Sequence, residues 1–246
     1  MLNDSPTPHF LKEHVILVTG AGDGIGRAAA LAYAQHGATV ILLGKTTEKL
    51  EAVYDEIVAQ GYPEPAIVPL NLLGATPQHY RDMANTIEQQ FGRLDGVLHN
   101  ASTLGHLEPL KNISETDWQT VMQVNLNSTF YMTQALLPLL EKANRGVLLF
   151  TTSTVGSQGR AYWGTYAISK FATEGMMQVL ADEYANHPLT VNGINPGATR
   201  TNMRASAYPA EDPEKLKTPE DLMPVYLYAM SPECKEHGQV LVAQPK

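Results

Sequence analysis

A single cysteine, Cys234, is the first scarcity that constrains this 246-residue chain. One thiol can form neither an internal disulfide nor a thiolate metal cage, and it fits a reducing compartment. Basic residues are also short: 17 Lys and Arg stand against 25 Asp and Glu, a formal charge of −8. Phosphate-backbone binding needs clustered cations, and none cluster here, so no nucleic-acid surface is expected. No apolar run reaches the ~18–20 residues that cross a bilayer, and Met1–Phe10 lacks the basic and apolar regions of a secretory signal. The eight histidines show no HxxxH or other ligand spacing, so no metal is expected. The expectation is a soluble, cytoplasmic protein that meets neither nucleic acid nor membrane.

Short β-branched and aliphatic runs alternate with longer amphipathic stretches. Strands are expected at Val15–Thr19, Thr39–Leu43, Ala66–Leu70, Gly96–His99, Val147–Thr151, Leu189–Ile194 and Val240–Val242. Helices are expected at Ile25–His36, Glu48–Gln60, Pro77–Phe91, Asp117–Ala143, Thr165–Ala185 and Pro219–Met230. Gly37, Gly61 and Gly92 close the first three. Ser114 with Asp117 reads as a capping box, Pro138 should kink or break its helix, and Thr218 with Pro219 marks another helix start. Strands separated by helices need crossover connections, hence an α/β fold with a parallel sheet covered on both faces. No linker composition divides residues 1–246, so one domain is expected. The long irregular stretch Gly197–Lys217 reads as a substrate lid or a solvated excursion.

Gly20, Gly22, Gly24 and Gly26 follow a strand directly and open a helix. Such a turn lets backbone N–H groups approach a pyrophosphate seated at the helix N-terminus. An NAD site usually carries a carboxylate at the end of the second strand to hold the ribose 2′-hydroxyl. Here the strand ends Leu42-Leu43-Gly44-Lys45, with a cation instead. NADP is therefore favoured over NAD, the alternative being a solvated Lys45. Asp23 inside the turn is an objection, because it adds negative charge.

Tyr166 and Lys170 stand four residues apart on an expected helix and so share a face. An ammonium there favours the phenolate and should bring the tyrosine pKa from ~10 toward the working range of a general acid/base. With 11 tyrosines and 10 lysines, roughly 0.4 such pairs arise by chance, so the pair alone is weak. Ser153, thirteen residues before the tyrosine, follows the fifth strand at the sheet edge where ligands bind, and it can hydrogen-bond a carbonyl oxygen.

With these residues the chain resembles the single-domain branch of the short-chain dehydrogenase/reductase family, from about Lys12 to Val242. The resemblance implies a Rossmann-type doubly wound sheet of about seven strands. The family's Thr-Gly-x-x-x-Gly-x-Gly matches Thr19, Gly20, Gly24 and Gly26. Its Asn-Asn-Ala-Gly appears as His99-Asn100-Ala101-Ser102, with Ser102 where the family has glycine. Its helix asparagine matches Asn125, implied to interrupt the helix and hold a water of a proton relay. Its serine matches Ser153, its Tyr-x-x-x-Lys matches Tyr166 and Lys170, and its Pro-Gly turn matches Pro196-Gly197 with Thr201. The implied catalytic set is Asn125, Ser153, Tyr166 and Lys170. The implied cofactor set adds to the glycine turn (Thr19, Gly20, Gly22, Asp23, Gly24, Ile25, Gly26) Gly44 and Lys45, Asn71 and Leu72, Asn100, Ala101 and Ser102. Tyr166, Lys170, Pro196, Gly197, Thr199 and Thr201 complete it. More narrowly, Asp95–Asn100 and Phe171–Glu183 look like bacterial YciK-type oxidoreductases. The family's usual Thr-Gly before the last strand and its Gly-Gly after it are absent from His237–Lys246, where His237-Gly238 precedes the strand. A homodimer or homotetramer is implied by resemblance.

The leading expectation is an NADP-dependent oxidoreductase that moves a hydride between nicotinamide and a carbonyl or secondary alcohol. The alternative is a dinucleotide-binding regulator or scaffold with little turnover, since fold does not decide function. A serine hydrolase is disfavoured by the lack of a Gly-x-Ser-x-Gly elbow. Arg160 and Arg204 leave an anionic substrate conceivable.

Overall fold

Successive side chains of the first strand, β1 (Val15–Thr19), are all buried, which requires cover on both sheet faces. The computed structural model, which describes residues 9–245, supplies that cover. Most of Met1–Phe10 and the terminal Lys246 lie outside the described residues, so the reading of the N-terminus is not addressed there. The chain runs β1, α1 (Gly24–Gln35), β2 (Thr39–Gly44), α2 (Thr47–Ala59), β3 (Ala66–Pro69), α3 (Pro77–Phe91) and β4 (Gly96–His99). It continues through α4 (Glu115–Met122), α5 (Ser128–Leu140), β5 (Val147–Thr151), α6 (Gly164–Glu183), β6 (Thr190–Asn195), α7 (Asn202–Ala207), α8 (Met223–Met230) and β7 (Val240–Val242).

The seven strands form one parallel sheet in the order β3-β2-β1-β4-β5-β6-β7. Ile16 and Val18 point to one side, where α1, α2 and α8 pack. Val15 and Leu17 point to the other, where α3, α5 and α6 pack. Ile16, Leu17 and Val18 are fully buried, and such side chains each stabilise the fold by roughly 1.5–3 kcal/mol. Strand order reverses between β1 and β4, which opens a crevice at their C-terminal ends.

Most expected elements agree with the structure to within a residue or two. The expected helix Asp117–Ala143 does not. It begins at Glu115, and residues Gln123–Asn127 form a π turn that separates α4 from α5. The hydroxyls of Ser128 and Thr129 donate to the carbonyls of Val124 (2.6 Å) and Asn125 (3.0 Å), serving backbone groups that the wider turn leaves free. Ser114 does cap α4, accepting from the Asp117 N–H at 3.1 Å, but the capping box is only half made. The Asp117 carboxylate instead accepts from the backbone and ring of His106. Pro138 lies inside α5, which ends two residues later.

The expected helix from Pro219 starts as a 3-10 turn, Glu220–Leu222, because Pro224 has no N–H to donate to the Glu220 carbonyl. Thr218 and Asp221 cap it reciprocally. The stretch Gly197–Lys217 is not irregular. It contains α7, a 3-10 turn at Pro213–Lys215, and a bridge between Thr199 and Lys217 that returns it to its start.

His99 at the end of β4 is buried, stacked on Phe150 at 5.2 Å and hydrogen-bonded to Thr133 Oγ1 at 2.9 Å. Burial lowers its pKa to about 3. The folded protein therefore holds it neutral while the unfolded chain protonates it below ~6.5, so stability is lost as pH falls through that value. Denaturant midpoints should fall between about pH 6.5 and 5, above the carboxylate range, and His99→Gln should flatten that fall. An unchanged pH slope in the variant would remove His99 as its source.

Candidate active site

β1 and β4 pair only as far as Val18 and Leu98. Beyond that point the Thr19 hydroxyl spans the gap: it accepts from the N–H groups of Asn100 and Ala101, each at 2.9 Å, and donates to the Leu98 carbonyl at 3.4 Å. Thr19 is thus a buried tie beneath the site, not part of its wall. Gly20 then turns the chain at φ +68°, and its carbonyl lies against α1 at Gly26. A Cβ on Gly26 would stand 2.2 Å from that carbonyl oxygen, so this glycine is required for close packing of helix on turn, and it too lies off the wall.

A cavity of about 810 Å³ opens above this floor. Gly20, Gly22, Asp23, Gly24, Ile25, Gly44, Lys45, Asn71, Leu72, Asn100, Ala101, Ser102, Ser153, Tyr166, Lys170, Pro196, Gly197, Thr199 and Thr201 all line it. Of the expected site residues, Thr19, Gly26 and Asn125 do not. The cavity wall also includes Lys49, Leu104, Trp163, Asn202 and Met203, which carry no motif. Lys49 alone had a visible signal, a second cation one helical turn after Lys45.

Asp23 caps α1, accepting from Gly24 N–H at 2.7 Å. Its other oxygen takes Lys49 Nζ at 2.5 Å and Asn202 Nδ2 at 3.1 Å, and the Lys49 contact holds the carboxyl below its usual range. The acidic residue in the turn is thereby matched by a cation and tied to α7. Lys45 forms no ion pair among the described residues and faces the cavity at the end of β2. The C-terminal segment braces the opposite rim, where Gln244 Nε2 donates to the carbonyls of Pro196 and Ala198 at 2.8 and 2.9 Å.

Tyr166 and Lys170 share a face of α6, with Lys170 Nζ 5.5 Å from the centre of the tyrosine ring. The expected outcome of that spacing needs correction. Burial outweighs the Ser153 and Ser102 hydroxyls and pushes the Tyr166 phenol up to about 12. It also pulls Lys170 down to about 8, with Glu174 opposing the fall. The lysine donates its hydrogen bond to the Thr151 carbonyl at 2.8 Å. The hydroxyls of Ser153 and Ser102 stand beside the phenol and favour its ionised form. Ser102, the departure from a glycine, thus adds a second hydroxyl to the surroundings of the Tyr166 phenol.

Asn125 sits in the π turn, buried, with its side chain fully engaged. Its amide donates to the Thr103 carbonyl (2.9 Å) and Ser169 Oγ (3.0 Å), and its oxygen accepts from Thr103 N–H (2.8 Å). One side chain therefore fixes both the loop that carries Ser102 and the helix that carries Tyr166 and Lys170. The arrangement offers an anion-binding turn, a cation at the edge of β2, and a hydroxyl-flanked phenol. Gly26→Ala should destabilise the fold by about 1–3 kcal/mol in denaturant melts and weaken dinucleotide binding with it. Wild-type stability and affinity in that variant would show that the turn yields freely.

Comparison with known proteins follows the same outline. A family model described as short chain dehydrogenase matches residues 14–212. The oxidoreductase YciK of Escherichia coli K12, itself uncharacterized, is 55% identical over 98% of this chain and 95% of its own length. A short chain dehydrogenase from Shigella flexneri 2a strain 301, complexed with NADP, superposes with a TM-score of 0.95 at 55% identity, covering 97% of this chain and 100% of that one. One from Escherichia coli CFT073, complexed with NADPH, gives a TM-score of 0.95 at 55% identity over 98% and 100%. The chain belongs to the short-chain dehydrogenase/reductase family.

Proposed function

We propose that this oxidoreductase binds NADP(H) in the cavity and transfers a hydride between it and a carbonyl or secondary alcohol. The observation that carries the reading is one continuous cavity lined both by the glycine turn with Lys45 and by Ser153, Tyr166 and Lys170. The fit to the dinucleotide is chemical. The N-terminus of α1 and its turn present N–H groups to a pyrophosphate, and Gly44-Lys45 presents a cation where an NAD site has a carboxylate. The NADP and NADPH held by the two related structures support the same choice.

When bound, the dinucleotide supplies the hydride and, oxidised, a cationic ring. Tyr166 exchanges the proton with the substrate oxygen, and Ser153 and Ser102 donate to that oxygen or to the phenolate as charge develops. Lys170, anchored on Thr151, holds positive charge beneath the phenol. Asn125 acts as the positioning residue for both halves of the site, and the family's relay water would have to use its backbone, since its side chain is engaged. The segment 197–218 serves as the lid within a single domain, with α7 on the cavity and tied to Asp23 through Asn202.

Calorimetry should show NADPH binding at least tenfold tighter than NADH, ~1.4 kcal/mol. Tyr166→Phe should lose ~10²–10⁴ in turnover while its NADPH affinity stays within about twofold. Tight NADPH binding by the wild type with no turnover of any carbonyl or alcohol would favour the regulator reading instead.

A homodimer or homotetramer is the proposed assembly, supported by Phe130, Phe171 and Val179, large apolar side chains left exposed on α5 and α6. A cytoplasmic setting is supported by the single cysteine, unpaired and buried. Among the described residues no helix is long and apolar enough to cross a membrane. Light scattering should return at least twice the 26.9 kDa chain mass, and a monomer would overturn the assembly.

A further inference from the structure

On the cavity wall, three apolar side chains from three separate segments pack around the cluster that contains Tyr166. Leu104 follows β4, Trp163 precedes α6, and Met203 lies on α7; all three pack on Val155, Tyr166 and Ala167 and also face the cavity. The backbone N–H of Trp163 donates to the Arg160 carbonyl at 3.2 Å, and its backbone carbonyl accepts from the Ala167 N–H at 3.1 Å. Its ring lies 5.7 Å from that of Tyr166 and 6.0 Å from that of Tyr208. The residue before it, Tyr162, is held at φ +72°, a left-handed conformation that aromatic residues rarely adopt. Backbone held in such a state clusters at ligand-contacting positions.

The two arginines that left an anionic substrate conceivable are both engaged. Arg204 places its guanidinium fork on Glu211, with both bonds at 2.6 Å, and stacks 3.8 Å over the Tyr208 ring. Arg160 Nη1 donates to the Tyr208 hydroxyl at 2.8 Å. Of the other charged residues on the cavity wall, Asp23, Lys45 and Lys49 belong to the nucleotide end, and Lys170 is anchored on Thr151. A carboxylated or phosphorylated substrate would have to displace Glu211 to reach a cation here. An uncharged one leaves that pair intact.

Resting on the oxidoreductase reading, we propose that the substrate is an uncharged carbonyl or alcohol whose flat or cyclic apolar group lies on the Trp163 indole between Leu104 and Met203. Tyr208 packs on Trp163 and takes a hydrogen bond from Arg160, while Arg204, itself on the cavity wall, is held by Glu211 and Tyr208. Trp163 is a specificity-determining residue: it presents an apolar face to the substrate, and aromatic faces favour offset or edge-on contact with a second ring.

The test is NADPH-dependent reduction by the full chain of a matched pair, acetophenone and its carboxylated counterpart benzoylformate, with acetone as a small neutral control. The expected result is a kcat/KM for acetophenone at least tenfold above either of the others. Trp163→Ala should raise the acetophenone KM by about tenfold, ~1.4 kcal/mol, with NADPH affinity unchanged, and Trp163→Phe should keep KM within about threefold of wild type. A preference for benzoylformate, acetone turned over as well as acetophenone, or a KM indifferent to Trp163→Ala would overturn the proposal and leave the oxidoreductase reading standing. Equal loss of NADPH affinity in Trp163→Ala would mark a structural role and overturn it too. Absence of turnover with every carbonyl and alcohol in protein that binds NADPH would overturn both readings together.

Discussion

The side-chain oxygen of Thr19 joins β1 to β4 at the point where their backbone ladder stops, and the site depends on that tie. A parallel sheet whose strand order reverses must part there, and parting would leave the N–H groups of Asn100 and Ala101 without partners. Buried backbone donors are almost always satisfied, and one hydroxyl satisfies both. With the strands pinned, Gly20 can turn upward, and α1 can approach until Gly26 touches the Gly20 carbonyl. The floor of the cavity is then rigid. Asn125 performs the matching task on the far side, joining the Thr103 loop to α6.

Electrostatics at the centre are ruled by burial more than by pairing. Lys170 and Tyr166 share a helix face, yet both are shifted toward their neutral forms, because neither is compensated for the water it loses. The hydroxyls of Ser153 and Ser102 oppose the shift of Tyr166, and Glu174 opposes that of Lys170. At the glycine-turn end the balance differs: Asp23 and Lys49 cancel in a half-exposed pair whose worth is small in solvent, and Lys45 has no carboxylate partner among the described residues.

Much of this was legible in advance, for reasons that differ by element. Buried strands such as Val15–Thr19 and Val147–Thr151 announce themselves because parallel strands covered on both faces must be apolar throughout. The glycine turn and the Tyr166–Lys170 pair are local patterns, so their spacing survives in one dimension. The π turn was not visible in composition, because it arises from hydroxyls of Ser128 and Thr129 choosing carbonyls one turn back. The order in Gly197–Lys217 was hidden as well. Its helix is short, and its fastening relies on Arg204 with Glu211 and on Asn202 reaching Asp23, 179 residues earlier.

From the sequence alone came the α/β class, a single parallel sheet, a dinucleotide turn biased toward a 2′-phosphate and the hydride-transfer family. The first three are encoded in periodicity or short-range spacing, and the family came from the resemblance of its motifs. Tertiary structure decided which of those residues face the cavity and which hold it together, the direction of the Tyr166 and Lys170 shifts, and which apolar side chains gather around Tyr166. The physical reason is that desolvation and ion pairing depend on neighbours contributed by distant segments. Leu104, Trp163 and Met203 come together around Tyr166, and Arg160 and Arg204 find their partners Tyr208 and Glu211, only after the sheet has brought those segments together.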